Sequence, residues 1–132
     1  MTDQLKLPDR QPVLRVVPMP ADVNAAGDFV VGWVMAHVDI AGGVVATQRS
    51  RGRVATVAVN SFQFKQPVSV GDVVSFYADV IEVGRTSITV DVAVYAERNP
   101  ADPMVVKVTE ALLTFVALDQ AGAKRRVPPI VS

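Results

Sequence analysis

The chain has 132 residues, half of them hydrophobic, with thirteen basic and thirteen acidic side chains. This suits one globular domain, and the zero net charge argues against a nucleic-acid binder that relies on bulk charge. Cysteine is absent and His37 is the only histidine, which excludes disulfides, a cysteine nucleophile and thiolate or His-rich metal sites within one chain. The polar start and the lack of a long uncharged apolar run predict a cytoplasmic protein without a membrane span.

The predicted elements are a short strand, one long helix and four long strands. Residues 1–12 are polar and contain two prolines, which predicts a flexible arm, and prolines end a β-branched strand at 13–17. A polar loop leads into an apolar segment at 30–47 with helical periodicity. From residue 54 the apolar residues alternate, which predicts strands at 54–64, 73–83, 86–97 and 104–118. We expect one domain over 13–128 and a C-terminal tail at 129–132.

One helix followed by an antiparallel sheet predicts an α+β fold in which the sheet curls around the helix. The helix is more apolar than one that is exposed to water over half its circumference, and the strands are long for a chain of this size. Because a long apolar edge strand usually pairs with something, we expect a symmetric homodimer.

Asp39 interrupts the apolar helix and is the first candidate for a functional residue. Its neighbours three and four positions away are Met35, Ala36, Gly42 and Gly43, so it lies on a stripe of mainly small side chains. A carboxylate in an apolar setting needs a partner, and each glycine lowers helix stability by about 1 kcal/mol relative to alanine. Either the stripe packs on the sheet and Asp39 is a satisfied buried acid, or the stripe leaves room for a ligand beside a catalytic carboxylate.

A series of motifs runs in a fixed order from about residue 14 to residue 128. They are Met-Pro-Ala-Asp-Val-Asn-Ala-Ala-Gly-Asp at 19–28, Gly-Trp-Val-Met at 32–35, Val-Asp at 38–39, Gly-Arg-Val-Ala-Thr-Val-Ala-Val at 52–59, Pro-Val-Ser-Val-Gly-Asp-Val-Val at 67–74 and Thr-Glu-Ala-Leu at 109–112. In these motifs the sequence resembles the hotdog-fold acyl-CoA thioesterases, and most of all the single-domain bacterial acyl-CoA thioester hydrolases of the YciA type.

The resemblance implies an enzyme that hydrolyses an acyl-CoA to a free acid and coenzyme A, with no metal or organic cofactor. It implies a hotdog dimer, commonly assembled into a trimer of dimers, that is, a hexamer. In that family an acid on the central helix works with an asparagine from the preceding loop, and the matching residues here are Asp39 and Asn24. Strand and turn positions that hold coenzyme A in the wider family match Thr56, Val57 and Ala58, and Arg85, Thr86 and Ser87.

Thioester hydrolysis needs a water nucleophile, a base and donors for the developing oxyanion. Asp39 suits the base, or a nucleophile that forms an anhydride, and the sequence leaves both open. Backbone N–H groups near Val31 and Gly32 at the helix start suit the oxyanion. Val31 and Asp39 are roughly 12 Å apart along a helix, so one helix cannot bring both to one carbonyl. A site that uses both therefore draws on two subunits.

Some positions depart from the family pattern or have plainer interpretations. Relatives usually have Gly-Gly where this chain has Val31 and Gly32, and often an acid in place of Asn60. His37 is predicted to be a packing or interface residue. Asp28 suits a helix cap, and the basic run at 124–126 is either solvated or meets the phosphates of coenzyme A. Two other functions stay open: a non-catalytic acyl-CoA-binding module, and a hotdog dehydratase or hydratase.

Overall fold

An antiparallel sheet of five strands packs on one face of a long helix. The computed structural model describes residues 5–20, 31–99 and 101–130. Its elements are β1 (Leu14–Val16), α1 (Val31–Ser50), β2 (Val54–Phe64), β3 (Val73–Val83), β4 (Ser87–Arg98) and β5 (Met104–Ala117). The strands lie in the order β1-β3-β4-β5-β2, and every neighbouring pair is antiparallel. The predicted α+β class is confirmed, and α1 extends three residues beyond the predicted end at residue 47.

The core lies between α1 and the inner face of the sheet. Strand β4 is central, and its alternation places Ile88, Val90, Val92 and Val94 in the core, as the pattern predicted. From the helix, the core contains Val34, Val38, Ala41 and Ala46. Phe76 and Phe115 are the largest fully buried side chains of this core.

The exposed side of α1 corrects one prediction. The apolar side chains of Ile40 and Val44 predict core positions, but 53% and 40% of their surfaces are exposed. They are displaced around the helix from Val34 and Val38, which face the sheet, since residues are spaced about 100° apart. The sheet of one chain covers only one side of α1, and the other side keeps an uncovered apolar surface.

Gly42 and Gly32 correspond to the two alternatives that the sequence left open, close packing on the sheet and room for a ligand. A Cβ atom on Gly42 would lie 3.1 Å from the ring of Phe115, so this glycine allows close packing of the helix on the sheet. A Cβ atom on Gly32 would meet no described residue within 4 Å. Gly42 therefore has a packing role, whereas Gly32 makes no such contact with the described part of the chain.

Two arginines attach the ends of the chain to this framework. Arg10, in the expected flexible arm, forms two hydrogen bonds of 2.7 Å with the carboxylate of Asp79 and lies over the ring of Tyr77. Arg125 donates from Nη1 to the carbonyl oxygen of Ser50, the last residue of α1, at 2.9 Å. The end of the arm is thus held on the outer face of the sheet, and the C-terminal segment caps the helix.

Replacing Thr109 by valine is expected to stabilise the protein. Its hydroxyl is fully buried on β5 and has no hydrogen-bond partner in the described part of the chain. Valine keeps the shape and removes the desolvated hydroxyl, so we expect the free energy of unfolding to rise by about 1 kcal/mol, measured by denaturant titration. The matched control is Thr114→Val on the same strand, which loses a hydrogen bond to Asn60. A lower stability of Thr109→Val than of the wild type would contradict the interpretation of the Thr109 hydroxyl as buried and unpaired.

Membrane-spanning helices and metal-binding clusters are both absent from the described ranges. No helix there is long and apolar enough to cross a membrane. No group of three histidine, aspartate or glutamate residues in those same ranges is arranged to hold a metal ion.

Candidate active site

A cavity of about 380 Å³ lies between α1, β2 and β5. Its helical wall is the face that carries Asp39, which confirms that part of the stripe borders a space rather than the sheet. The lining residues are Gly32, Met35, Ala36, Val38, Asp39, Thr56, Val59, Phe62 and Leu113. Only Asp39 and Thr56 among them have polar side chains. The cavity is therefore an apolar space with one polar end.

Asp39 is half-buried and has a single defined partner at this end of the cavity. The hydroxyl of Thr56 donates to Asp39 Oδ1 at 2.5 Å. This bond connects the middle of α1 to the start of β2 and fixes the orientation of the carboxylate. The second oxygen, Oδ2, accepts no hydrogen bond from the described residues, so it is available for a ligand or a water molecule.

Two irregularities in β2 explain how its side chains reach the cavity. Thr56, Val59 and Phe62 are three residues apart, whereas a regular strand turns every second residue to one face. The pairing of β2 with β5 shifts between Thr56 and Ala58 and again between Val59 and Ser61. Each β-bulge adds one residue, so the three side chains come to line the same cavity. Regular alternation would have turned Val59 away.

The cavity lies beside an edge of the sheet. Strand β2 pairs with β5 on one side and has no strand partner on the other side within the described chain. Val57 and Val59 on this strand are 55% and 44% exposed, and Met35 on the helix is also exposed. Apolar residues at an unpaired edge are typical of a surface that a second strand covers.

His37 lies on a different side of α1 from Asp39. Its Nδ1 is 2.8 Å from the carbonyl oxygen of Trp33, so Nδ1–H is the donor. Its ring packs against those of Trp33 and Phe76, with centroids 4.3 and 5.8 Å away. His37 does not line the cavity, which agrees with its interpretation as a packing residue.

The expected oxyanion donors lie at the start of the described helix. Gly32 lines the cavity, while Val31 is exposed at the first position of α1. The helix is continuous from Val31 to Asp39, so their separation along the axis stays at roughly 12 Å. Asn24 and Asp28 lie outside the described residues.

The expected coenzyme A contacts fall in two places. Thr56 borders the cavity, and Val57 and Ala58 continue along the unpaired edge of β2. Arg85 and Thr86 form the tight β3–β4 turn, which closes where Gly84 N donates to the carbonyl oxygen of Ser87, the first residue of β4, at 2.8 Å. The Arg85 side chain has no hydrogen bond or ion pair with the described residues.

Beside this turn lies a basic cleft that the sequence only partly indicated. It has a volume of about 740 Å³ and is lined by Arg49, Gly84, Arg85, Arg126, Val127, Pro128 and Pro129. Arg49 Nη1 donates to the carbonyl oxygen of Pro128 at 2.6 Å, and the carbonyl of Arg85 accepts from Val127 N at 2.9 Å. Three guanidinium groups and none of the described acids line the cleft, although the whole chain has no net charge.

Sequence reasoning missed two features of these sites. Arg49 was overlooked because the helix was predicted to end at residue 47, two residues before it. The hydroxyl of Thr56 was overlooked because the resemblance concerned its strand position. The hydroxyl of Thr56, seventeen residues after Asp39, is the partner that a carboxylate in an apolar helix required.

Comparisons with known proteins agree with this architecture. The family model of the thioesterase superfamily matches residues 27–101. The acyl-CoA thioester hydrolase YciA of Salmonella typhimurium is 42% identical over 97% of this chain and 98% of its own. A hexameric thioesterase from Yersinia pestis is 43% identical, with a TM-score of 0.85 over 93% of this chain and 99% of its own. A hexameric hotdog-fold thioesterase of Campylobacter jejuni is 38% identical, with a TM-score of 0.86 over 90% of this chain and 91% of its own. With this architecture and these matches, the chain belongs to the thioesterase superfamily of hotdog-fold proteins.

Proposed function

We propose that this protein is an acyl-CoA thioester hydrolase that releases a free acid and coenzyme A. The observation that carries the proposal is a half-buried carboxylate, Asp39, fixed by Thr56 at the polar end of an apolar cavity. A thioester has a polar carbonyl attached to an apolar chain. The cavity has a polar end that suits the carbonyl and apolar walls that suit the chain. Membership of the thioesterase superfamily and the names of the relatives support the same reaction.

In the proposed reaction Asp39 acts on a water molecule. The carboxylate takes a proton as the water oxygen attacks the thioester carbon, and collapse of the tetrahedral intermediate breaks the C–S bond. The proton then passes to the departing thiolate of coenzyme A. An attack by Asp39 itself, with an anhydride intermediate that water hydrolyses, uses the same atoms. Asn24 is proposed to orient the water or the acid. No metal or organic cofactor enters either route.

The proposed site is shared between two subunits. The unpaired edge of β2 and its exposed valines support a second copy that extends the sheet across this edge. The oxyanion donors near Val31 and Gly32 would then come from the partner, since those on the same helix are roughly 12 Å from Asp39. We further propose that three such dimers form a hexamer, as the names of the Yersinia and Campylobacter proteins state for them.

Recognition of coenzyme A is proposed to use the edge of β2 and the basic cleft. Thr56, Val57 and Ala58 would lie beside the pantetheine arm, whose amides suit the free backbone groups of an edge strand. Arg85 lines the cleft, with Thr86 and Ser87 directly after it in the chain, and the three arginines of the cleft suit the phosphates. Arg49 is ten residues from Asp39, roughly 15 Å along α1. An extended pantetheine arm has a comparable length.

Neutralising the cleft is expected to weaken binding of the nucleotide part alone. In Arg85→Gln/Arg126→Gln we expect KM for an acyl-CoA to rise about tenfold or more, because charge-assisted hydrogen bonds to phosphate are lost. With the same acyl group on pantetheine, which lacks the nucleotide, KM should stay unchanged. Steady-state thiol release measures both. Lys124→Gln is the control, since Lys124 is basic and exposed but outside the cleft. An equal rise in KM for both substrates would contradict this role.

The function itself is tested with a panel of acyl-CoAs from short to long chains. Release of free thiol establishes hydrolysis. Binding without release would favour the non-catalytic acyl-CoA-binding module, and loss of water from a hydroxyacyl group with the thioester intact would favour a dehydratase. The position of His37, bonded to Trp33 and outside the cavity, speaks against a dehydratase that relies on histidine.

A further inference from the structure

The two ends of the cavity differ in polarity, and this difference orients any ligand within it. The chain leaves α1, turns at 51–53 and returns as β2, so helix and strand run in opposite directions along the cavity. Asp39 and Thr56 lie at one end, and Gly32 and Phe62 line the cavity farther along the two elements. The distance along α1 from Asp39 to Gly32 is roughly 10 Å. The space is therefore elongated, with the carboxylate at one end.

Side chains along the cavity become uniformly apolar away from Asp39. Met35 and Ala36 form the helical wall, and Val59 and Leu113 form the opposite wall. Gly32 adds no side chain to the wall, and a Cβ atom there would meet none of the residues in 5–20, 31–99 and 101–130 within 4 Å. A hydrocarbon chain fits these walls without leaving a polar group unpaired, whereas the thioester carbonyl fits only beside Asp39 and Thr56.

Phe62 is the largest lining side chain at the end opposite Asp39. It pairs across the sheet with Ala111, which is buried and small. The next residue of β2 on the same face, Phe64, pairs with Thr109. Directly paired side chains on one face of a sheet are close together, so the Phe62 ring lies beside Ala111.

We infer that the acyl chain of the substrate runs from Asp39 towards Gly32, and that Phe62 determines the greatest chain length the cavity accepts. This inference rests on the proposed hydrolysis of acyl-CoA. A chain that is too long meets the Phe62 ring, and the thioester carbonyl is then displaced from Asp39. Replacement of the ring by a small side chain opens the cavity towards Ala111. Phe62 is thus a specificity-determining residue and takes no part in the chemical step.

The test compares chain-length profiles of wild type, Phe62→Ala and Phe62→Leu. For acyl-CoAs just beyond the wild-type optimum, we expect kcat/KM relative to the optimal substrate to rise about tenfold in Phe62→Ala, as two buried methylene groups would give. Phe62→Leu should give a smaller rise in the same direction. Phe64→Ala is the control, because Phe64 is on the same strand but does not line the cavity.

Each outcome separates the inference from the proposed function. A profile that stays unchanged in Phe62→Leu and Phe62→Ala, while the wild type hydrolyses acyl-CoAs, overturns the role of Phe62 and leaves the function intact. An equal shift in Phe64→Ala also overturns it, since the effect would then arise from the strand as a whole. Absence of thiol release by the wild type with every acyl-CoA removes the proposed function and the inference with it. Circular dichroism of each variant checks the fold.

Discussion

Asp39→Asn is expected to lower kcat for acyl-CoA hydrolysis by about 10²- to 10⁴-fold, the usual contribution of a positioned general base or its equivalent. The amide cannot take a proton from water and is a poor nucleophile, so both proposed routes fail. Its oxygen can still accept the hydrogen bond from Thr56, so the fold and the assembly should be unchanged. Thiol release measures kcat, and size-exclusion chromatography with circular dichroism checks the structure.

Thr56→Val is the matched comparison for this variant. It removes the hydroxyl that orients the Asp39 carboxylate but keeps the carboxylate itself and the shape of the side chain. We regard Thr56 as a positioning residue, and its loss should reduce kcat less than the loss of Asp39. Near-native turnover of a well-folded Asp39→Asn protein would exclude Asp39 as base and as nucleophile.

Mixing two inactive variants is expected to restore activity if each site draws on two subunits. Asp39→Ala removes the acid, and Asn24→Ala removes the proposed orienting amide. If one site takes Asp39 from one chain and Asn24 from the other, each mixed dimer contains one intact site and one doubly defective site. In a one-to-one mixture half of the dimers are mixed at random, so we expect about a quarter of the wild-type activity.

Co-expression of the two variants with different affinity tags provides the sample, and purification over both tags selects the mixed assemblies. Each variant alone, carried through the same purification, is the control for residual activity. If the mixed assemblies are confirmed by mass spectrometry and remain as inactive as the single variants, Asp39 and Asn24 act within one chain. The geometry of a shared site would then be wrong.

The extent of the strands followed directly from the sequence, because alternation with a period of two records which residues face the core. The limits of β2 and β3 were predicted to the residue, and the four residues predicted for the core face of β4 are buried, together with Ala96. The lining of the cavity did not follow in the same way. Val59 reaches it only because the bulges in β2 change the alternation, and bulges leave no pattern in a strand of this composition.

Exposed surfaces and clefts were the least predictable feature. Ile40 and Val44 have the same apolar character as Val38, so periodicity assigned all three to the core, but only Val38 is buried within one chain. The basic cleft combines Arg49, Arg85 and Arg126, which are distant in sequence, so no local motif marks it. The cytoplasmic location and the role of Asn24 stay predictions.

The strand order has a consequence for how the protein forms during synthesis. Strand β2 is synthesised early, but its neighbour in the sheet is β5, the last strand. Val54, for example, pairs with Ala117. Until β5 leaves the ribosome, both edges of β2 are open, with exposed valines that favour wrong association. Contacts this distant along the chain also slow folding. The strand that carries Thr56 and Phe62 is therefore expected to complete its pairing late, only after β5 has been synthesised.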